Sequence, residues 1–206
     1  CCSTHLGAIS ELVTSGGFDM GIAHDGDADR VLAVDENGDE VDGDLIMAIC
    51  AADLADRGEL AHDTVVGTVM TNMGFEVAMR DRGLSVIKTK VGDRYVLEQM
   101  QNSGAILGGE QSGHIIFMRH NTTGDGLVTA LQLASVMRRT GKSLSGLRQV
   151  MTRYPQVLVN VPVRDKALLA TSSEVSSAIH EADAALGDTG RVLVRASGTE
   201  PLVRVM

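Results

Sequence analysis

The sequence predicts an α/β protein with mixed, largely parallel sheets and flanking helices, followed by a small α+β region at the carboxyl end. Apolar runs of strand length alternate with segments whose apolar residues recur at helical spacing, which is typical of this class. Hydrophobic residues make up 44% of the 206 positions, enough for a substantial core. The alternation breaks around Met151 to Pro155, where we place a domain boundary.

The elements follow in a regular order. A helix at 5–15 ends at the pair Gly16-Gly17, strands at 18–23 and 31–35 flank an acidic loop, and a hairpin turn at 36–39 leads into a short strand at 40–41. The alternation continues with helix 44–57, strand 64–70, helix 74–82, strand 84–89, helix 95–101, strand 105–107, a long helix to about 139 and a shorter one at 143–150. After the break we expect a strand at 157–163, a helix at 166–186, a turn at 187–190 and strands at 191–194 and 202–206.

Charge and composition exclude several classes of protein. The net charge of -9 argues against nucleic acid, because phosphate backbones are bound by clustered Lys and Arg, and aromatic residues for base stacking are only 2%. No apolar run reaches the ~18 residues of a membrane span. The cysteines Cys1, Cys2 and Cys50 follow no metal-ligand or disulfide spacing, which predicts a cytoplasmic protein.

The loop between the first two strands carries three carboxylates, Asp25, Asp27 and Asp29. Such charge density repels itself unless a cation lies among the side chains, and oxygen ligands suit Mg²⁺. A solvated acidic turn is the simplest alternative. An EF-hand is disfavoured because Arg30 stands where that loop needs Gly. An aspartyl phosphatase of the haloacid dehalogenase kind stays open, although its usual Thr is replaced here by Ala28-Asp29.

Two loops follow the carboxyl ends of predicted strands, where ligands of such sheets gather. One contains Arg94, in Val91-Gly92-Asp93-Arg94. The other combines Glu110, Ser112 and His114 with three glycines, and so offers an anionic acceptor, a hydroxyl and a titratable imidazole in a short space. This mixture suits a polyhydroxylated ligand, and a decorated Gly-rich turn is the alternative.

The carboxyl-terminal loop has the composition of a phosphate site. Planar guanidinium groups bind phosphate bidentately, and hydroxyls and turn amides add donors. The candidate residues are Arg195, Ser197, Gly198, Thr199 and Arg204. The alternative is a solvated turn with unrelated arginines.

Together the three loops resemble the α-D-phosphohexomutase superfamily. In that family Asp-Gly-Asp-x-Asp-Arg binds Mg²⁺, Gly-Glu-x-Ser-Gly-His contacts sugar hydroxyls, and Arg-x-Ser-Gly-Thr-Glu-Pro holds phosphate; all three occur here in that order. Gln111, in the loop of residues 108–114 (the sugar loop), is similar to members that act on glucosamine phosphate, whereas those that act on mannose or glucose phosphate usually have Met at this position. The latter activity, or a non-catalytic module that binds Mg²⁺ and phosphosugar, is the alternative.

The resemblance implies the following organisation. Residues 1–40 would be the last part of the family's second domain, 41–151 the third domain, and 152–206 a truncated fourth domain. The family's catalytic serine loop has no counterpart here, so we expect a fragment that is inactive alone. In the intact enzyme, which can be a homodimer, Asp25, Asp27 and Asp29 would hold Mg²⁺ during phosphoryl transfer through a phosphoserine and a sugar bisphosphate.

The resemblance also implies roles for the other side chains. Arg30 would steady the transferred group, and His114 would act as general acid and base. Glu110, Ser112, His114 and Arg94 would bind the sugar, and the carboxyl-terminal loop would clamp the phosphate that is not transferred. The only partner we expect is a small phosphosugar.

Overall fold

The computed structural model describes residues 5–166, 168–187, 190–198 and 200–206. Contacts between residues divide it into two compact units, one up to Arg153 and one from Tyr154 to Met206. The helices are α1 (Gly7–Gly16), α2 (Gly43–Asp56), α3 (Met73–Asp81), α4 (Asp93–Ser103), α5 (Gly126–Thr140), α6 (Leu144–Leu147), α7 (Leu168–Thr171) and α8 (Ser173–Leu186). The strands are β1 (Met20–His24), β2 (Val31–Asp35), β3 (Glu40–Val41), β4 (Thr64–Thr68), β5 (Ser85–Thr89), β6 (Leu107–Gly109), β7 (Ile115–Phe117), β8 (Val159–Pro162), β9 (Val194–Ala196) and β10 (Leu202–Val205).

The first unit contains two sheets. β1, β2 and β3 form an antiparallel sheet in that order. The second sheet has the order β5-β4-β6-β7, with parallel pairing of β4 to both β5 and β6 and antiparallel pairing of β7. Because β5 and β6 run in the same direction, the loops that follow them meet at one edge of the sheet. The expected α/β class is confirmed.

Helix α2 lies at the centre of the first unit. Its sequence is almost continuously apolar, and most of its side chains are buried, including Ile46, Met47 and Ile49. A helix that is apolar all round must be enclosed by other elements, and α2 contacts α3, α5 and β6. Asp42 caps its first turn by accepting a hydrogen bond from the Leu45 amide at 3.0 Å. This fixes the start of α2 beside the sugar loop.

The second unit is a three-stranded antiparallel sheet, in the order β8-β10-β9, with α7 and α8. The sequence predicts one helix at 166–186, whereas the structure has two, because Ser172 leaves the helical backbone and caps α8 through the Val175 amide at 3.3 Å. Residue 167 of that prediction, and 188–189 of the predicted turn, lie outside the described residues. The strand expected at 191–194 begins at Val194, and β7 was not predicted.

None of the helices in the described part of the chain is both long and apolar enough to cross a membrane.

Candidate active site

The three acidic side chains of the first loop converge. β1 and β2 pair with His24 opposite Val31, so residues 25–30 form a tight connection at the end of the hairpin. One carboxylate oxygen each from Asp25, Asp27 and Asp29 lies within 4.8 Å of the others. Hard oxygen ligands at this spacing fit a divalent cation such as Mg²⁺.

The carboxylates of this loop differ in environment. Burial raises the pKa of Asp29, and the neighbouring charges of Asp27 and Asp25 raise it further. Burial acts in the same direction on Asp25, but the hydrogen bond from the Arg30 amide, at 3.2 Å, helps to bring its pKa below the ordinary value. The loop therefore holds negative charges that repel one another and that a cation would stabilise.

Arg30 lies against this cluster. Its Nε is 3.8 Å from Asp25 Oδ2 and 3.8 Å from Asp29 Oδ1, and the side chain is 40% exposed. The Nε atom is nevertheless buried and has no hydrogen-bond partner. A buried donor without an acceptor is costly, so the atom is suited to an oxygen atom supplied by a ligand.

The acidic loop and the sugar loop are joined through their backbones. Arg30 forms an antiparallel bridge with His114, and the Val31 amide donates to the Gly113 carbonyl at 3.1 Å. Gly113 has a φ of +94°, and a Cβ there would lie 2.1 Å from the Val31 carbonyl oxygen. Only glycine permits this approach, so the structure brings together two loops that are more than 80 residues apart in the sequence.

His114 is buried between these loops. Its side chain is 2% exposed; Nε2 accepts a hydrogen bond from the Gly124 amide at 3.2 Å and lies 3.7 Å from Asp29 Oδ2. Because Nε2 accepts, the proton of the neutral ring is on Nδ1, which lies 3.5 Å from Asp93 Oδ1. Asp29, Asp93 and His114 are also close enough to enclose an ion, but a protonated Nδ1 has no lone pair for a metal.

Glu110 lies in the loop that follows β6, and Asp93 is the first residue of α4, directly after the loop that follows β5. Glu110 Oε1 accepts a hydrogen bond from the Gly92 amide at 2.9 Å. Burial raises the pKa of Glu110, and the charge of Asp93 adds to this, while the Gly92 amide opposes it. Asp93 is the site residue that the sequence prediction did not select. Asp93 follows a predicted strand and precedes Arg94, and this position is the signal by which the sequence could have identified it.

The remaining residues of the sugar loop differ in exposure. Ser112 is exposed, as is Arg94 in the first turn of α4. Gln111 is anchored, because its carbonyl accepts from the Gly43 amide at 3.0 Å and its side-chain amide lies 3.4 Å from Asp42 Oδ2. A Cβ on Gly43 would lie 2.2 Å from the Glu110 carbonyl oxygen. The start of α2 therefore supports the sugar loop directly.

The candidate phosphate loop belongs to the second unit. Arg195 on β9 lies directly opposite Arg204 on β10, so the two side chains share one face of the sheet. Glu200 accepts a hydrogen bond from Arg204 Nη2 at 3.0 Å, whereas Arg195 has no ion pair among the described residues. Like charges opposite each other are unfavourable unless an anion lies between them. This face of the sheet is suited to an anion.

A lysine that the sequence prediction missed ties this loop together. Lys166 Nζ donates to the Ser197 carbonyl at 2.8 Å and to the Glu200 carbonyl at 3.2 Å. Ser197 is buried, Gly198 is exposed, and Thr199 lies outside the described residues. Because Lys166 lies more than 30 residues earlier, nothing in the local sequence connects it with the loop.

This fold and these loops match a known protein family. The family model for phosphoglucomutase/phosphomannomutase, alpha/beta/alpha domain III, matches residues 42–154, and the model for the C-terminal domain of the same family matches residues 158–206. The chain belongs to the phosphoglucomutase/phosphomannomutase family, and the resemblance inferred from the three loops is confirmed.

The curated relatives are more specific. A phosphoglucosamine mutase of Streptomyces griseus is 58% identical over 206 residues, which is 100% of this chain and 46% of the relative. A phosphoglucosamine mutase of Pelotomaculum thermopropionicum is 59% identical over the same shares. The chain therefore spans about half the length of the curated relatives that it matches.

Solved structures share the fold. A phosphoglucomutase/phosphomannomutase family protein from Burkholderia thailandensis has a TM-score of 0.80 at 22% identity and covers 98% of this chain and 45% of its own. The N-acetylphosphoglucosamine mutase of Aspergillus fumigatus, in complex with GlcNAc-6P and magnesium, has a TM-score of 0.76 at 22% identity and covers 89% of this chain and 47% of its own.

Proposed function

We propose that the intact protein is a phosphoglucosamine mutase, which interconverts glucosamine 6-phosphate and glucosamine 1-phosphate for UDP-N-acetylglucosamine and cell-wall precursor synthesis. The observation that carries the proposal is the backbone bridge between Arg30 and His114, which joins an acidic, cation-binding loop to a loop suited to sugar hydroxyls. The names of relatives that are 56–59% identical support the choice of sugar.

In this proposal Asp25, Asp27 and Asp29 hold Mg²⁺. Their oxygens lie close enough together to share one ion. When bound, Mg²⁺ supplies a Lewis acid that stabilises charge on phosphoryl oxygens. Arg30, whose buried Nε has no hydrogen-bond partner, donates to the phosphoryl group as it moves between a phosphoserine and the sugar.

The sugar is bound by Glu110 and Ser112, in the loop that follows β6, and by Arg94, in the first turn of α4. His114 remains our predicted general acid and base. Because its Nε2 accepts from the Gly124 amide, Nδ1 is the atom that carries the proton. This atom faces Asp93, so the neutral ring presents a hydrogen-bond donor on the side of that carboxylate. Transfer of a proton to or from the sugar requires the imidazolium form, in which Nε2 is protonated and no longer accepts from the Gly124 amide.

The carboxyl-terminal loop holds the phosphate that is not transferred. Arg195 and Arg204 provide two guanidinium groups on one face of the sheet, and Ser197, Gly198 and Thr199 would add hydroxyl and amide donors. A phosphate held at a fixed place lets either end of the sugar be presented for transfer, as a reaction through a bisphosphate requires.

The test uses the chain and the intact protein together. We expect the 206-residue chain to bind Mg²⁺ and glucosamine 6-phosphate without turnover, since it contains no catalytic serine loop, and the intact protein to interconvert the two phosphates. Asp27→Asn should abolish Mg²⁺ binding and turnover, whereas Asp19→Asn, at an exposed position before β1, should change neither. Turnover by the purified chain, or full activity of Asp27→Asn, would contradict the proposal.

A further inference from the structure

The loops that follow β5 and β6 bring two carboxylates together outside the three-aspartate loop. Glu110 is anchored by the Gly92 amide at 2.9 Å, and Asp93 is the next residue in the chain. The two side chains are close enough for the charge of Asp93 to raise the pKa of Glu110. This acidic pair, Asp93 and Glu110, belongs to the sugar side of the site.

The acidic pair is not neutralised by the protein. Among the described residues, neither carboxylate forms an ion pair with a lysine or an arginine, and the neighbour of Asp93 is the His114 ring. His114 Nδ1, in a side chain that is 2% exposed, points toward Asp93 and has no hydrogen-bond partner. Asp93 itself is 46% exposed, so a ligand can reach it. An uncompensated negative charge beside a sugar-binding loop favours a cationic group on the sugar.

We infer that Asp93 and Glu110 select a 2-amino-2-deoxyhexose phosphate by binding its ammonium group. This rests on the proposed function, because it assigns a specificity determinant within the same site. The amine of glucosamine phosphate is protonated at neutral pH, whereas glucose phosphate has a neutral hydroxyl at that carbon. The acidic pair attracts the ammonium group of glucosamine phosphate and gains little from the hydroxyl of glucose phosphate, so the two sugars are discriminated by charge.

A purely structural role for Asp93 makes a different prediction. Asp93 is the first residue of α4, where a carboxylate favours the positive end of the helix dipole. If that were its only role, removing the charge would lower stability and leave the choice between sugars unchanged.

The experiment titrates the 206-residue chain, in saturating Mg²⁺, with glucosamine 6-phosphate and glucose 6-phosphate, followed by NMR. We expect the wild type to prefer glucosamine 6-phosphate by about fivefold, the size of a half-exposed ion pair. Asp93→Asn, which leaves Glu110 in place, should lower the preference and leave the affinity for glucose 6-phosphate unchanged. Glu98→Gln, an exposed carboxylate on the same helix, should keep the wild-type preference.

A second ligand tests the inference without changing the protein. N-acetylglucosamine 6-phosphate keeps the nitrogen but loses its charge, so the wild type should bind it no better than glucose 6-phosphate. An undiminished preference for glucosamine 6-phosphate in Asp93→Asn would overturn the inference and leave the proposed function intact. Binding of neither phosphosugar would overturn the proposed function, and the inference with it.

Discussion

The acidic and sugar loops of the first unit are joined to each other through the backbone, whereas the phosphate loop of the second unit is held by a lysine side chain as well as by backbone hydrogen bonds. In the first unit the Val31 amide donates to Gly113, and the Gly126 amide donates to Ala28 at 2.9 Å. In the second unit the ammonium group of Lys166 donates hydrogen bonds to the carbonyl groups of Ser197 and Glu200. Backbone contacts need no ordering of a side chain, whereas a long lysine side chain loses rotational freedom when it makes its contacts.

The two units also differ in their cores. Helix α2 and the sheets around it bury many apolar side chains, whereas Val203 is the one buried apolar residue among those described from Tyr154 onward. Helix α8 has no buried residue, and apolar side chains of the sheet and helices line a cavity of about 570 Å³. The comparison indicates that the candidate metal and sugar site is preformed and that the candidate phosphate site is more easily deformed.

The strongest test of the preformed site is Gly113→Ala. The new Cβ would meet the Val31 carbonyl oxygen at 2.1 Å, in a backbone with φ of +94°. We expect the free energy of unfolding of the first unit to fall by about 3 kcal/mol in urea titrations, with loss of Mg²⁺ binding. Gly26→Ala, where no atom lies within 4 Å of the added Cβ, is the matched control. A loss below about 1 kcal/mol would mean that the two loops move independently.

Magnesium should stabilise one unit and leave the other unchanged. Binding to the native state alone raises the free energy of unfolding by about 2.7 kcal/mol at a concentration one hundred times Kd. Calorimetry in Mg²⁺ and in EDTA should show this shift for the unit that contains Asp25, Asp27 and Asp29. Asp27→Asn should remove the stabilisation of this unit by Mg²⁺. Equal shifts in both units would show that the metal acts elsewhere.

The deformable site is tested by Arg195→Ala. Loss of one guanidinium group should weaken glucosamine 6-phosphate binding about tenfold, as expected for a charge-assisted contact, without changing Mg²⁺ affinity. Because Arg195 faces Arg204, the variant should also be at least as stable as the wild type. Arg164→Ala, at an exposed position of the same unit, is the control. Equal losses of metal and sugar binding would show that the loop is structural.

The smallest expected effect concerns the link between Glu36 and Ser145. Burial raises the pKa of Glu36, but hydrogen bonds that include the hydroxyl and amide of Ser145 outweigh it and lower the pKa from 4.5 to about 2. The stability that these hydrogen bonds contribute is therefore complete above about pH 4.5 and is lost as the pH falls toward 2. Glu36→Gln should remove about 1 kcal/mol of the acid-dependent stability of the first unit.

The control for this measurement is Glu11→Gln, which removes an exposed carboxylate from α1. Its stability between pH 2 and 5 should follow that of the wild type. An unchanged slope for Glu36→Gln would contradict the assignment.

Much of the fold could be predicted because its signals are local. The limits of β2 are those expected, and α2 begins and ends within a residue of its expected limits, since periodicity and the cap of Asp42 mark them. β7 was missed because three apolar residues after a glycine-rich loop become a strand only by pairing with β6. β9 begins at Val194 for a similar reason, and so carries Arg195 on a strand.

The site was predictable in its loops but not in its connections. The spacing of Asp25, Asp27 and Asp29 predicts their convergence, because all three lie in one short loop. Nothing in the sequence specifies that His114 is buried or that its Nδ1 faces Asp93, since these contacts depend on the packing of distant segments. Lys166 was missed for the same reason.

The contact between Gly43 and the Glu110 carbonyl limits how this protein can evolve. A methyl group at position 43 would collide with the backbone of the sugar loop, and one at position 113 would collide with β2. Outward side chains such as Ser112 can therefore change without disturbing these contacts. A library that aims at new sugar substrates should hold the glycines fixed and vary the exposed positions of this loop together with Asp93.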